Sequence, residues 1–198
     1  MQRSGDWGLV AAAVVALGVW FVLRNYEPST MRASAPNATV AAQLPTLLPT
    51  AQQVQAPSEG AVAPALALET LDGEQVSLAD YRGQVVLVNF WATWCGPCQY
   101  EIPELLQARD GLADLGFEIL AVNVGEDAEA VRAFADAMEM SFPVLLDGDM
   151  AGARAYALRG IPASFLVDQE GIIRKVHVGI LTEASLREYV KALLGTDA

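Results

Sequence analysis

The chain has 198 residues, 24 acidic and 12 basic, for a net charge of −12, and 53% of its residues are hydrophobic. That length allows one domain of ordinary size plus extra segments. The charge excludes a phosphate backbone as a natural partner. The only two cysteines, Cys95 and Cys98, do not make the disulfide framework of a small secreted scaffold.

Three stretches differ in composition: residues 1–32, 33–59 and 60–198. In the first, Trp7 to Leu23 is an unbroken apolar run, with Arg3 and Asp6 before it and Arg24 after it. It sits at the short end of the roughly 17–25 residues that can span a bilayer. Trp7, Trp20, Phe21 and Tyr26 lie near its ends, where interfacial aromatics belong. A cleaved signal peptide would place a small-residue site close behind the run. Ala33-Ser34-Ala35 has the right residue types but lies past Arg24, Glu27 and Arg32, so an uncleaved single-pass anchor is the favoured reading. The short amino-terminal side is expected inside and the rest of the chain outside the cytoplasm. Ala33 to Ser58 carries no charge and contains Pro36, Pro45, Pro49 and Pro57, which predicts an extended, flexible tether.

Regular elements begin near Ala65. Leu66 to Thr70 and Gln75 to Leu78 read as a β-hairpin around Asp72-Gly73. Val85 to Trp91 is an unalternating apolar run, the pattern of a strand covered on both faces. A helix is predicted over Gln99 to Leu115, with Pro103 expected to kink it. Phe117 to Val124 reads as the next buried strand. Gly125-Glu126-Asp127 ends it and opens a helix through Met140, with Val131, Phe134 and Met138 on one face. Pro143 to Asp147 reads as a short strand or extended segment, and Asp149 to Leu158 as a helix. Ala163 to Val167 and Ile172 to Val178 form a second hairpin. Thr182 caps a last amphipathic helix through Leu194. Strands alternating with helices, closed by a hairpin and a helix, predict an α/β fold built on a mixed sheet.

The chemistry concentrates in Trp94-Cys95-Gly96-Pro97-Cys98. A strand that delivers Cys-x-x-Cys to the first turn of a helix is the layout of a thiol–disulfide redox site. The partial positive charge of the helix N-terminus favours a thiolate there, and the thiolate is the attacking species in disulfide exchange. A structural disulfide over so small a loop would stabilise little. A zinc site would need about four ligands, and beyond the cysteines there is a lone His177. No metal or cofactor is expected.

Phe90-Trp91-Ala92-Thr93-Trp94-Cys95-Gly96-Pro97-Cys98 resembles the thioredoxin active site, and Arg159-Gly160-Ile161-Pro162 resembles that fold's cis-proline loop. Over roughly Gly60 to Leu194 the chain is similar to the membrane-anchored TlpA/ResA-like thiol–disulfide oxidoreductases, which include the cytochrome c maturation thioredoxins. The pieces that carry this are Cys98-Gln99-Tyr100-Glu101-Ile102-Pro103 and Val122-Asn123-Val124-Gly125-Glu126. The resemblance implies a thioredoxin-like α/β fold, its mixed sheet flanked by helices, with an added N-terminal hairpin and one transmembrane helix.

The resemblance also implies roles. Cys95 is the exposed nucleophile and Cys98 the resolving cysteine, the two forming the redox disulfide. Trp94, Pro97, Ile161 and Pro162, the last after a cis bond, form the surface for an extended substrate. Thioredoxin has a buried aspartate where this chain has Asn89, which exchanges no proton. Glu101, three residues past Cys98 and so its neighbour on a helix, is the candidate acid–base group. Gly96-Pro97, as in thioredoxin, points to a reducing protein. The implied partners are a disulfide-bearing exported protein, such as the Cys-x-x-Cys-His segment of an apocytochrome c, and a membrane donor of thiol electrons. The chain is expected to be a monomer. Two alternatives remain. One is a peroxiredoxin-like peroxidase, for which Thr93 is wrongly spaced from Cys95. The other is a non-catalytic thioredoxin-fold binding module. Phe165 and His177 are expected to be core or strand-surface residues.

Overall fold

The computed structural model describes Trp20, Arg24, Asn25 and residues 57–195. The expected anchor over about 7–23 lies outside the described residues save for Trp20, and the tether over 33–59 lies outside them save for its last three positions. No helix among the described residues is long and apolar enough to cross a membrane. The chain divides into two units, Met1–Thr50 and Ala51–Ala198, and every candidate site residue belongs to the second.

That unit is built on a seven-stranded mixed sheet of order β2-β1-β5-β4-β3-β6-β7. The strands are β1 Ala67–Thr70, β2 Gln75–Ser77, β3 Val85–Trp91, β4 Phe117–Val124, β5 Val144–Asp147, β6 Ala163–Val167 and β7 Ile173–Val178. β3, β4 and β5 run parallel, and the added hairpin β1–β2 joins antiparallel through β5. Gly73, at φ +81°, supplies the left-handed turn between β1 and β2. β6 and β7 extend the other edge antiparallel.

β3 is buried along its whole length, which is why its sequence does not alternate. Successive residues still point to opposite faces. Val85, Leu87 and Trp91 pack on one face with Ile102, Leu105, Leu186 and Val190. Val86, Val88 and Phe90 pack on the other with Leu66, Leu120, Tyr156 and Phe165. The first face is covered by α1 Gly96–Leu112, α2 Ala128–Ala137 and α4 Glu183–Leu194; α3 Ala151–Ala155 lies on the second. Phe165 is a core residue there, its ring 5.9 Å from Phe90 and 4.9 Å from Tyr156 between centroids.

Three helices differ from their predicted bounds. α1 starts at Gly96, because Cys95 itself caps it and Pro97 suits the first turn. It runs through Pro103 to Leu112 and gives way to a 3-10 turn, Ala113–Leu115. α2 stops at Ala137 rather than Met140, since Glu139 takes a left-handed conformation at φ +53°. α3 is confined to five residues by left-handed Met150 and Ala157 on either side. α4 matches its prediction: the Thr182 hydroxyl accepts the Ser185 N–H at its start.

Candidate active site: a helix-capping disulfide over a buried carboxyl

β3 ends at Trp91, and the chain turns through Ala92-Thr93-Trp94 into α1. Cys95 and Cys98 are joined in a disulfide with their Cα atoms 5.2 Å apart. Cys95 Sγ accepts the Cys98 N–H at 3.2 Å, one of the free N–H groups that every helix start presents. A thiolate at that position would gain from the same donor and from the helix dipole. The expectation of an exposed Cys95 needs correction. In the disulfide form it is 4% exposed and Cys98 is 0% exposed, with the Cys95 sulfur seated on the helix cap against the Cys98 N–H. The order is as expected, with Cys95 the outer of the two.

The turn is pinned from the side. Glu126, just past β4, accepts the Thr93 N–H at 2.7 Å and the Thr93 hydroxyl at 2.5 Å. Asn123 Nδ2 donates to the same carboxylate at 2.7 Å. The Thr93 carbonyl accepts Gln99 Nε2 at 2.7 Å. These bonds fix the residue two places before Cys95. They also commit the one donor of the Thr93 hydroxyl to Glu126 rather than to a sulfur.

One helical turn past Cys98 lies Glu101, on the buried stripe of α1 formed with Cys98, Ile102, Leu105, Ala108 and Leu112. It is 1% exposed. Burial pushes its pKa from the ordinary 4.5 up to about 7; hydrogen bonds from the Leu181 N–H and from Asn89 pull the other way without overcoming it. The Leu181 N–H donates to Oε1 at 2.8 Å and Asn89 Nδ2 to Oε2 at 3.0 Å. Asn89 Nδ2 also donates to Ser164 Oγ at 3.0 Å. A carboxyl poised near neutrality one helical turn from a buried thiol can take or return its proton.

The remaining candidates gather at the mouth. Trp94 is 70% exposed, and Pro97 is exposed at the first turn of α1. The Ile161–Pro162 bond is cis, as the resemblance implied. Trp94 and Ile161 line a mainly apolar groove of about 510 Å³ with Val124, Met150, Ala153 and Leu158. The Pro162 carbonyl already accepts the Gly179 N–H at 2.9 Å, so a visiting strand would have to pair on the Gly160–Ile161 side.

Ser164, Leu181 and the Thr93–Glu126 contact escaped sequence reasoning. Ser164 sits in a buried strand with no pattern to mark it, and Leu181 acts through its backbone. Glu126 stood out only as part of a family pattern, without a role.

A disulfide capping a helix that leaves a buried central strand, faced by a cis-proline loop, defines a thioredoxin-fold thiol–disulfide oxidoreductase. Comparison with known proteins agrees. Residues 60–176 match the AhpC/TSA family. The chain is 39% identical over 136 residues to thiol-disulfide oxidoreductase ResA of Bacillus subtilis, covering 69% of this chain and 76% of that one. It is 38% identical over 133 residues to the thioredoxin-like protein YneN of the same organism, covering 66% and 77%. Among solved structures, a thioredoxin-family thiol:disulfide interchange protein from Chlorobium tepidum superposes with a TM-score of 0.64 at 32% identity, over 70% of this chain and 99% of that one. The chain belongs to the AhpC/TSA family and, within it, is a ResA-like thiol–disulfide oxidoreductase.

Proposed function

We propose that the protein is a membrane-tethered reductase of disulfides in exported proteins, with Cys95 attacking, Cys98 resolving and Glu101 handling the proton. The observation that carries this reading is a helix-capping Cys95–Cys98 pair followed, one helical turn past Cys98, by a carboxyl 1% exposed. In the dithiol form, the Cys95 thiolate attacks one sulfur of the partner disulfide. A mixed disulfide forms and the partner's other sulfur leaves as a thiolate. Glu101 then accepts the Cys98 proton, and the Cys98 thiolate attacks Cys95 Sγ. The Cys95–Cys98 bond forms and the second partner thiolate is released. The partner gains two electrons and the protein becomes the disulfide described above. A membrane donor of thiol electrons must restore the dithiol.

Trp94 and Pro97 would bear on the partner, with Ile161 and Pro162 facing it across the sulfurs. The groove beside Trp94 suits an extended peptide carrying an apolar side chain. A Cys-x-x-Cys-His segment of an apocytochrome c, kept reduced for haem attachment, fits this chemistry. The apolar run Trp7 to Leu23 and the uncharged stretch after it support a single-pass anchor that holds the domain on the extracytoplasmic side, as a monomer.

Cys98→Ser tests the chemistry. The variant should accumulate a mixed disulfide between Cys95 and an oxidised Cys-x-x-Cys-His peptide, visible by mass spectrometry under non-reducing conditions. Cys95→Ser should form none. An adduct on Cys98 instead would reverse the assignment. Glu101→Gln should remove the neutral-pH limb from the rate profile of disulfide reduction; an unchanged profile would remove Glu101 from the mechanism. Fractionation of cells making the full chain should recover it with membranes, and recovery in the soluble fraction would contradict the anchor.

A further inference from the structure

Asn89 pairs with Ser164 across β3 and β6, and Ser164 pairs with His177 across β6 and β7. The three residues therefore form one cross-strand row. Opposed residues on neighbouring strands project to the same side of a sheet, here the side covered by α1 and α4. Asn89 holds Glu101 Oε2 and is itself tied to Ser164. The third member reaches the other carboxyl oxygen by a different route. His177 Nε2 lies 3.1 Å from the carbonyl oxygen of Ile180. The N–H at the opposite end of that same peptide group is Leu181's, and it donates to Glu101 Oε1 at 2.8 Å. Gly179, at φ +103°, turns the chain after β7 so that this peptide stands between imidazole and carboxyl.

A carbonyl oxygen can only accept, so Nε2 carries a proton and donates. A donor on the carbonyl end polarises the amide and strengthens the bond made by its N–H. It also fixes the turn that presents that N–H. We infer that His177, the chain's one histidine, is a positioning residue for Glu101, acting through the Ile180–Leu181 peptide group. It touches neither sulfur nor substrate. On the elements packed around the pair, the other titratable or charged groups are Cys95 at the cap of α1 with Cys98, Tyr100, Glu104, Arg109 and Asp110 on it, Glu183, Arg187, Glu188, Tyr189 and Lys191 on α4, and Arg174 and Lys175 on β7. Glu104 is engaged by the Glu183 N–H, Arg187 by the Glu183 carboxylate, and Lys175 by Glu59.

The bond from Leu181 favours the charged form of Glu101, so loosening it moves the carboxyl toward the neutral form. The inference rests on the proposed role of Glu101 only for its effect on turnover; the coupling itself is physical and separately measurable. The experiment is a ¹³C carboxyl titration of the full-length oxidised protein labelled at glutamate Cδ, with Glu101→Gln assigning the resonance. His177→Ala should raise the Glu101 midpoint by about half a unit or more. His177→Val, which suits a strand and lacks a donor, should do the same should the alanine variant fold poorly. His177→Gln, which returns an N–H donor near Nε2, should restore most of the wild-type midpoint. A merely structural role would lower the melting temperature and leave the midpoint in place. Equal midpoints in the wild type and the donor-free variants, or a glutamine variant shifted as far as alanine, would overturn the inference. A disulfide-reduction profile insensitive to Glu101→Gln would instead sink the role of Glu101 while leaving the titration result standing.

Discussion

Replacing Glu101 by Gln removes one ionisation from an almost fully enclosed position, and its effect on stability can be worked out with its sign. In the unfolded chain this carboxyl loses its proton near 4.5; in the folded, oxidised protein it does so near 7. Between those values the native state holds the proton that the unfolded state has released. Stability therefore falls as pH rises through that window. Above it, the wild type carries a buried carboxylate that costs roughly 3 kcal/mol relative to its acid-side stability. Glutamine never ionises, so its contribution is flat. Its single amide oxygen replaces only one of the two oxygens that accept from the Leu181 N–H and Asn89 Nδ2, so one N–H loses its acceptor at a cost of about 1–3 kcal/mol at every pH. Urea unfolding of the oxidised proteins at pH 5 and pH 8.5 measures the balance. The variant should be the less stable at pH 5 and should match or exceed the wild type at pH 8.5. An identical difference at the two values would refute the argument that Glu101 is buried with a displaced proton.

Two further substitutions probe the surroundings. Asn89→Asp sets a second carboxyl against Glu101 in place of a donor. Like charge disfavours ionisation, so the Glu101-dependent limb of the rate profile should move to higher pH; a shift to lower pH or none would contradict the contact. Glu126→Ala strips the acceptor from three donors around Thr93. The variant should lose about 2 kcal/mol or more of stability and should reduce protein disulfides more slowly, while reduction of a small aromatic disulfide changes less. Equal slowing with both substrates would place the effect in the sulfur chemistry rather than in the docking surface.

Much of this arrangement could be read from the chain alone, for reasons that differ by residue. β3 declared itself because seven consecutive positions are apolar or aromatic apart from Asn89, and a strand buried on both faces leaves that trace. Cys95 and Cys98 did so because chemistry restricts what two cysteines around Gly96-Pro97 can be. The ends of α2 and α3 were hidden because Glu139, Met150 and Ala157 adopt left-handed conformations that their residue types do not advertise. The near-complete burial of Cys95 was not legible because two cysteines at this spacing do not say how far the sulfurs sit below the surface. Glu101 could be singled out by its offset of three residues from Cys98 and by the family pattern, yet its two ligands could not. One is a backbone N–H eighty residues away in sequence, and the other is an amide whose partner depends on how strands pair. His177 looked like an ordinary strand residue for the same reason, since its partner is a main-chain carbonyl in the following turn.

The reduction potential of the Cys95–Cys98 couple, measured by equilibration in thiol–disulfide redox buffers, tests the central claim most directly. A protein that reduces exported disulfides should lie at the thioredoxin end of the range, below about −220 mV. A value near about −120 mV, where a strong dithiol oxidant sits, would mean that electrons flow into the protein rather than out of it.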